Sequence, residues 1–329
     1  MGAEELLRHL ADGEWHSGAE LARELGVTRA AIWKRVAKLA DWGLEVRARP
    51  GRGYRLIPAV DLLDRNALNA AAAGKLRERV RRIEVFTELA STNRYLLEHA
   101  KPELGRLDMC IAEFQAAGRG RRGRVWRAPL GAGLCLSVAW QFRETPPQLA
   151  ALTLTVGVVA RRVIAATAGI EVGLKWPNDL VWRNRKLGGV LLELNAEAQG
   201  GCHVVAGIGI NVAMPAHALA RLSDWPEGAA DLATATGGRP PSRTSLALAL
   251  AAALASALDG YAATGFAPYR AEWEAADYLM GRSVRVDDAA GAAVGIAAGI
   301  EADGALVLDV AGCGRRRVIS GDVSVRAQP

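Results

Sequence analysis

Apolar positions recur at helical spacing near the N-terminus, and turn residues interrupt them. Leu6, Leu7 and Leu10 fall on one helical face, and Asp12-Gly13 follows as a turn. Ser17 is placed to cap a second helix carrying Leu21 and Leu25, which Gly26 ends. Thr28 caps a third helix with Ile32, Val36 and Leu39 as its buried stripe. After Gly43 the period changes to two. Leu44 to Ala48 and Tyr54 to Ile57 alternate on either side of Pro50-Gly51-Arg52-Gly53, which predicts a hairpin. Three short helices and a hairpin make a winged helix-turn-helix over residues 1–60.

From Asp61 the pattern is mixed. Short apolar runs predict strands at Ile83–Phe86, Ile111–Phe114, Leu134–Trp140, Asp179–Trp182, Val190–Leu194 and Val204–Val212. Helical patterns run from Pro147 to Ala168 and from Ser245 to Tyr261. Residues 61–275 therefore read as an α/β unit around a mixed sheet. From Gly281 onward, runs at Ser283–Val286, Val294–Ile300, Ala305–Val310, Arg317–Ile319 and Val323–Arg326 are separated by Gly and Asp turns. They predict a small antiparallel β-barrel over residues 276–329. The fold class is α+β.

Charge sharpens the first unit. Residues 1–28 carry six acids and two bases, whereas residues 29–55 carry eight bases against Asp41 and Glu45. Positive charge thus collects on the third helix and the wing, where DNA phosphates would lie. Thr28, Arg29, Ala30 and Lys34 occupy the N-terminal side of the helix that enters the major groove in this motif, with Arg35 and Arg52 adding charge.

Composition excludes several classes. Half of the residues are hydrophobic, enough for a sizeable core. Cys110, Cys135, Cys202 and Cys313 are scattered with no C-x-x-C pair, so neither a zinc site nor a disulfide framework is suggested. Acids at Glu4 and Glu5 argue against a signal peptide, and no uninterrupted run of 18 apolar residues occurs. A cytoplasmic protein with no membrane partner is expected.

The candidate chemistry centres on Gly118-Arg119-Gly120-Arg121-Arg122-Gly123-Arg124, closed by Trp126. Glycines free the backbone to form a nest of N–H groups, and arginine forks read phosphate or carboxylate. The run lacks the P-loop pattern and the dinucleotide fingerprint. It follows an apolar strand in mid-domain, unlike a disordered Gly/Arg tail, and fits a loop that an anion orders.

Other clusters share this polarity. Ser91-Thr92-Asn93 opens a helix (Arg94 to Ala100) and offers three hydrogen-bonding side chains. Lys175-Trp176-Pro177-Asn178-Asp179 and Lys186-Leu187-Gly188-Gly189 flank the turn Arg183-Asn184-Arg185 and suit phosphate and metal chemistry. Gly207-Ile208-Gly209-Ile210-Asn211 is either a tight packing site or a flat wall for a ligand.

In this order and spacing, Ser91 to Asn93, Gln115 with Gly118 to Trp126, Lys175 to Asp179, Lys186 to Gly189 and Gly207 to Asn211 resemble biotin protein ligases. The winged helix and the segment Ala267-Pro268-Tyr269 to Trp273 extend the resemblance to the bifunctional form that is also the biotin operon repressor. The resemblance implies a class II synthetase-like ligase domain and a C-terminal SH3-like barrel. It implies that Ser91, Thr92, Asn93, Gln115 and Gly207 hold biotin, with Arg119, Gly120 and Arg121 closing over it. Lys186 would meet the biotin carboxylate and the α-phosphate, and Arg119, Arg121, Lys175 and Asp179 belong to the same catalytic set. Asn178, Asn211 and Trp225 would surround the nucleotide. ATP with Mg²⁺ and biotin are the implied reactants. Apo biotin carboxyl carrier protein, operator DNA and a homodimer formed on biotinyl-5′-AMP are the implied partners. A lipoate-type ligase, a ligand-sensing repressor without turnover and a non-enzymatic RNA-binding protein remain as alternatives.

Overall fold

The computed structural model describes residues 2–74, 76–146, 148–196, 201–222, 225, 227–288, 291–319 and 324–327. Helices α1 (Gly2–Leu10), α2 (Gly18–Glu24) and α3 (Arg29–Asp41) precede strands β1 (Glu45–Arg49) and β2 (Gly53–Ile57), which pair antiparallel. The caps form as the sequence predicts: Ser17 accepts from the Ala19 N–H and Thr28 from the Ala31 N–H. Leu6, Leu10, Leu21, Ile32 and Leu39 are fully buried in one core. That core also takes in Leu130 and Phe114 from the next unit, so the winged helix is seated on its neighbour by apolar packing. Trp42 fixes the seat, with its Nε1 donating to Glu88 at 3.0 Å and its carbonyl accepting from the Leu130 N–H at 2.9 Å.

The central unit comprises α4 (Arg65–Ala73), β3 (Val80–Leu89), α5 (Thr92–His99), β4 (Leu107–Gln115), β5 (Gly133–Phe142), α6 (Leu152–Ala168), β6 (Gly173–Lys175), β7 (Asp179–Trp182), β8 (Arg185–Ala196) and β9 (Cys202–Asn211). It continues through α7 (Ala216–Ala220), α8 (Leu232–Ala235), α9 (Arg243–Thr264) and α10 (Ala267–Ala275). Seven strands form one sheet in the order β3-β4-β5-β9-β8-β7-β6, with β3 and β4 parallel and the other pairs antiparallel. Strand alternation loads both faces. Along β4, Met109 and Ile111 join the large core containing α6 and α9, while Cys110 packs with Leu96 of α5.

The segments Leu149–Ala168 and Arg243–Thr264 are long and apolar enough to cross a membrane, yet 67% and 50% of their apolar windows are buried inside the protein. The α-helix expected from Pro147 begins at Leu152 after a single 3₁₀ turn; Pro147 itself lies outside the described residues.

The last unit is β10 (Ser283–Asp288), β11 (Gly291–Ile300), β12 (Leu306–Val310), β13 (Gly314–Val318) and β14 (Ser324–Ala327). These strands pair antiparallel in the order β13-β12-β11-β10-β14. A register shift between Ala297 and Ile300, with Gly299 at φ +93°, interrupts the β11–β12 ladder as a bulge does. Val323, expected to open the last strand, lies outside the described residues.

Candidate functional site

A cavity opens where the N-terminus of α5, the end of β4 and the faces of β5, β8 and β9 converge. Ser91, Thr92 and Asn93 line it at the start of α5, Gln115 at the end of β4, and Gly207 along the floor. Arg119, Gly120 and Arg121 line it from the glycine–arginine run, and Asn178, Asp179 and Lys186 from its far end. The sequence clusters, dispersed over more than a hundred residues, meet here.

The floor is a chain of committed hydrogen bonds. The Thr92 N–H donates to Gln115 Oε1 at 2.8 Å, and Thr92 Oγ1 lies 2.7 Å from Ser137 Oγ. Ser137 donates to Asn93 Oδ1 at 2.6 Å, and Asn93 Nδ2 donates to the Leu191 carbonyl at 3.1 Å and Glu193 Oε2 at 2.9 Å. Thr92, Asn93 and Ser137 are all buried, so these polar groups are oriented before any ligand binds. Ser137 and Glu193 were missed in the sequence; each sits on an alternating strand where a single polar residue carries no spacing signal.

The roof is a folded hairpin. The Gly120 N–H donates to the Arg124 carbonyl and the Trp126 N–H to the Gly118 carbonyl, around a 3₁₀ turn at Arg121–Gly123. A Cβ on Gly118 would come within 2.4 Å of the Trp126 carbonyl, so the hairpin needs glycine there. Arg122 itself adopts a left-handed φ of +57°. Trp126 lies on Gly209, where a Cβ would approach its ring to 2.6 Å. The apolar glycine strand thus serves as a packing site for Asn93 and Trp126 as much as a wall of the cavity.

A cation pair occupies the far end. Lys186 Nζ is 2.6 Å from Asp179 Oδ1, and Lys175 Nζ is 4.0 Å from Asp179 Oδ2. Burial holds the Lys175 ammonium below its ordinary pKa, with Asp179 opposing that shift. Lys175 lies over the Trp225 ring at 4.3 Å, and Trp225 Nε1 donates to the Asn184 carbonyl. Neither Lys175, Trp225 nor Asn211 lines the cavity; they form the layer behind Lys186. Asn211 donates to the Ala230 carbonyl at 2.9 Å, while its buried Oδ1 has no hydrogen-bond partner. Asn178 donates to the Val190 carbonyl at 2.8 Å. Among the described residues, no group of three His, Cys, Asp or Glu side chains is arranged to hold a metal ion.

On the winged helix, Arg29, Ala30 and Lys34 are exposed on one side of α3, and Thr28 is used as its cap. Arg35 departs from the expected set. Its guanidinium turns toward α1 and lies 3.5 Å from Glu5, which leaves its side chain 21% exposed. Arg52 is held on the wing by Trp15, 5.2 Å from the ring centroid. Trp33, which the charge pattern overlooked, is 65% exposed beside Lys34.

A polar-floored pocket with a lysine–aspartate end, roofed by a glycine–arginine hairpin and joined to a winged helix, defines a ligase-type catalytic unit fused to a DNA-binding module. Comparison with known proteins agrees. The profile of the Biotin/lipoate A/B protein ligase family matches residues 85–211, an HTH domain matches residues 3–55, and the Biotin protein ligase C terminal domain matches residues 279–326. The bifunctional ligase/repressor BirA of Escherichia coli (strain K12) is 36% identical over 98% of this chain and 96% of its own length. The Bacillus subtilis (strain 168) protein of that name is 30% identical over 96% of this chain and 95% of its own. The biotin protein ligase from Aquifex aeolicus, solved in complex with biotin and ATP, superposes with a TM-score of 0.63 at 25% identity, covering 75% of this chain and 100% of that one. The chain belongs to the biotin protein ligase family, in its bifunctional ligase/repressor form.

Proposed function

We propose that this chain activates biotin with ATP, transfers it to one lysine of an apo biotin carboxyl carrier protein, and represses transcription with biotinyl-5′-AMP as corepressor. One arrangement carries the reading: a pre-oriented polar floor that ends at Lys186 and Asp179 beneath a closed arginine hairpin.

The chemistry suits those residues. The biotin carboxylate attacks the α-phosphorus of ATP, forming a P–O bond as pyrophosphate leaves, and negative charge grows on the five-coordinate phosphorus. Lys186, Arg121 and the backbone N–H groups of the hairpin supply fixed positive ends for that charge, each worth a few kcal/mol (~2–4) in comparable sites. ATP enters as its magnesium complex, so Mg²⁺ arrives with the substrate. Asp179 holds Lys186 in place, and the buried Lys175 raises the local potential behind it. Thr92, Asn93 and Gln115 present the polar contacts for the ureido ring. The carrier lysine then attacks the acyl carbon, and AMP leaves. The protein supplies no nucleophile; its hairpin keeps water from the mixed anhydride.

Residues 1–60 are assigned DNA binding and residues 61–275 ligation. When acceptor is scarce, retained biotinyl-5′-AMP favours a homodimer that binds a two-fold operator. The test is to supply biotin, ATP, Mg²⁺ and apo carrier and to measure covalent biotin on the carrier by mass. Ligand binding without transfer would leave a sensing repressor. Transfer of lipoate in preference to biotin would move the chain to the neighbouring branch of its family.

A further inference from the structure

We propose that Glu193 is the positioning residue that latches the hairpin roof to the floor. This rests on the functional reading above and names how the site holds its activated intermediate. Glu193 lies on β8, outside both the roof and the cavity lining. Its two carboxylate oxygens are divided between the two parts of the site. Oε2 accepts from Asn93 Nδ2 at 2.9 Å, and Oε1 meets the Arg119 guanidinium at 2.9 Å.

The Asn93 side requires this division. Ser137 and the Leu191 carbonyl already fix the Asn93 amide, so Glu193 is anchored from below and cannot follow Arg119 if the roof lifts. Residues 118–124 contain no acid, so the roof cannot satisfy its own cations. A carboxylate supplied from β8 therefore draws one arginine down at one defined place. Arg119 then acts as the bolt of the roof. Its side chain is 51% exposed and that of Glu193 is 18% exposed, which makes the contact easy to break and reform. The same contact ties roof closure to the Asn93 amide that the ureido ring would meet.

The full-length protein tests this with Glu193→Gln, Arg119→Met and the double variant. Glutamine keeps an acceptor for Asn93 but turns an uncharged amide toward Arg119. Biotinyl-5′-AMP is formed in a single turnover from biotin and MgATP, and its release is followed after dilution. Each single variant is expected to release it roughly two- to fivefold faster, the size of one part-exposed charged contact. The double variant is expected to release no faster than either single one. Tryptic cleavage within residues 119–124 of the ligand-free protein should also speed up in Glu193→Gln. Unchanged release in the single variants, or additive effects in the double one, would overturn the latch. If the wild type forms no adenylate at all, the ligase reading fails, while unchanged cleavage in Glu193→Gln would separately dispose of the latch.

Discussion

The side chain of Asn93 occupies the space that a β-carbon on Gly207 would need: such a carbon would come within 2.1 Å of Asn93 Oδ1 and 2.9 Å of its Cγ. Asn93 has nowhere to retreat, because Ser137, Leu191 and Glu193 hold both ends of its amide. Gly207→Ala should therefore push Asn93 out of its network and cost about 1–3 kcal/mol of stability. Biotin affinity should fall with it. Urea unfolding and calorimetric titration check both; native affinity at unchanged stability would mean that Asn93 does not orient the floor.

Lys34 and Arg35 adjoin in sequence but face different surroundings, one exposed and the other turned to Glu5. Lys34→Ala should reduce the slope of log K against log salt for operator binding by about one. Arg35→Ala should leave that slope unchanged and lower the unfolding midpoint slightly. A binding titration across salt concentrations on one DNA separates them; equal slope changes would place Arg35 on the DNA after all.

Where residues act through local backbone chemistry, the sequence was legible. Ser17, Thr28 and Ser91 each accept the cap hydrogen bond that their spacing implies, because capping needs only a short polar side chain and a following helix. Six of the seven strands of the mixed sheet were legible from apolar runs, whereas the three-residue β6 is too short to show one; the motif residues of the cavity were legible from their order. What stayed hidden depends on who sits opposite. Gly207 and Gly209 read as either a packing site or a ligand wall, and nothing in their neighbourhood names Asn93 and Trp126, from elements far away in sequence, as the residues that fill the space they leave. The resemblance makes Trp225 a cover for adenine, but no pattern in the sequence pairs its ring with Lys175, which lies over it. Glu193 and Ser137 match no motif, since their function comes from a partner contributed by another strand or loop.

Asp277 gives the chain a pH dependence with a definite sign. It sits between α10 and β10, where burial raises its carboxyl to about 6 from the ordinary 3.8, against hydrogen bonds from the Leu279 and Met280 N–H groups. Its Oδ2 is buried with no hydrogen-bond partner. The folded state therefore holds the proton more tightly than the unfolded chain, so this group costs stability as pH rises from about 4 to about 6. Asp277→Asn should raise Tm above pH 6, by the equivalent of up to about 3 kcal/mol, and leave it unchanged near pH 4. A calorimetric series across that range checks the sign. A gain that grows toward low pH would contradict the assignment.

The ion pair of Glu113 and Arg243 joins parts of the chain that the winged helix, the sheet and α9 all need. Arg243 is 1% exposed and meets Glu113 Oε2 at 2.6 Å; its guanidinium also donates to the Asp61 and Gly133 carbonyls. The other Glu113 oxygen accepts from the Leu63 N–H at 2.7 Å. Removing one partner strands a buried charge, so Glu113→Ala should cost about 3–5 kcal/mol. Replacing both, as Glu113→Leu with Arg243→Met, should recover much of that loss, because an apolar pair leaves no buried charge unmatched. Gln115 follows Glu113 by two residues on β4, so the single variant should also weaken biotin binding, and the double variant should restore it in part. Denaturant midpoints paired with biotin titrations decide the matter. If Glu113→Ala lost stability but bound biotin as the wild type does, the buried pair would secure the fold without positioning the end of β4.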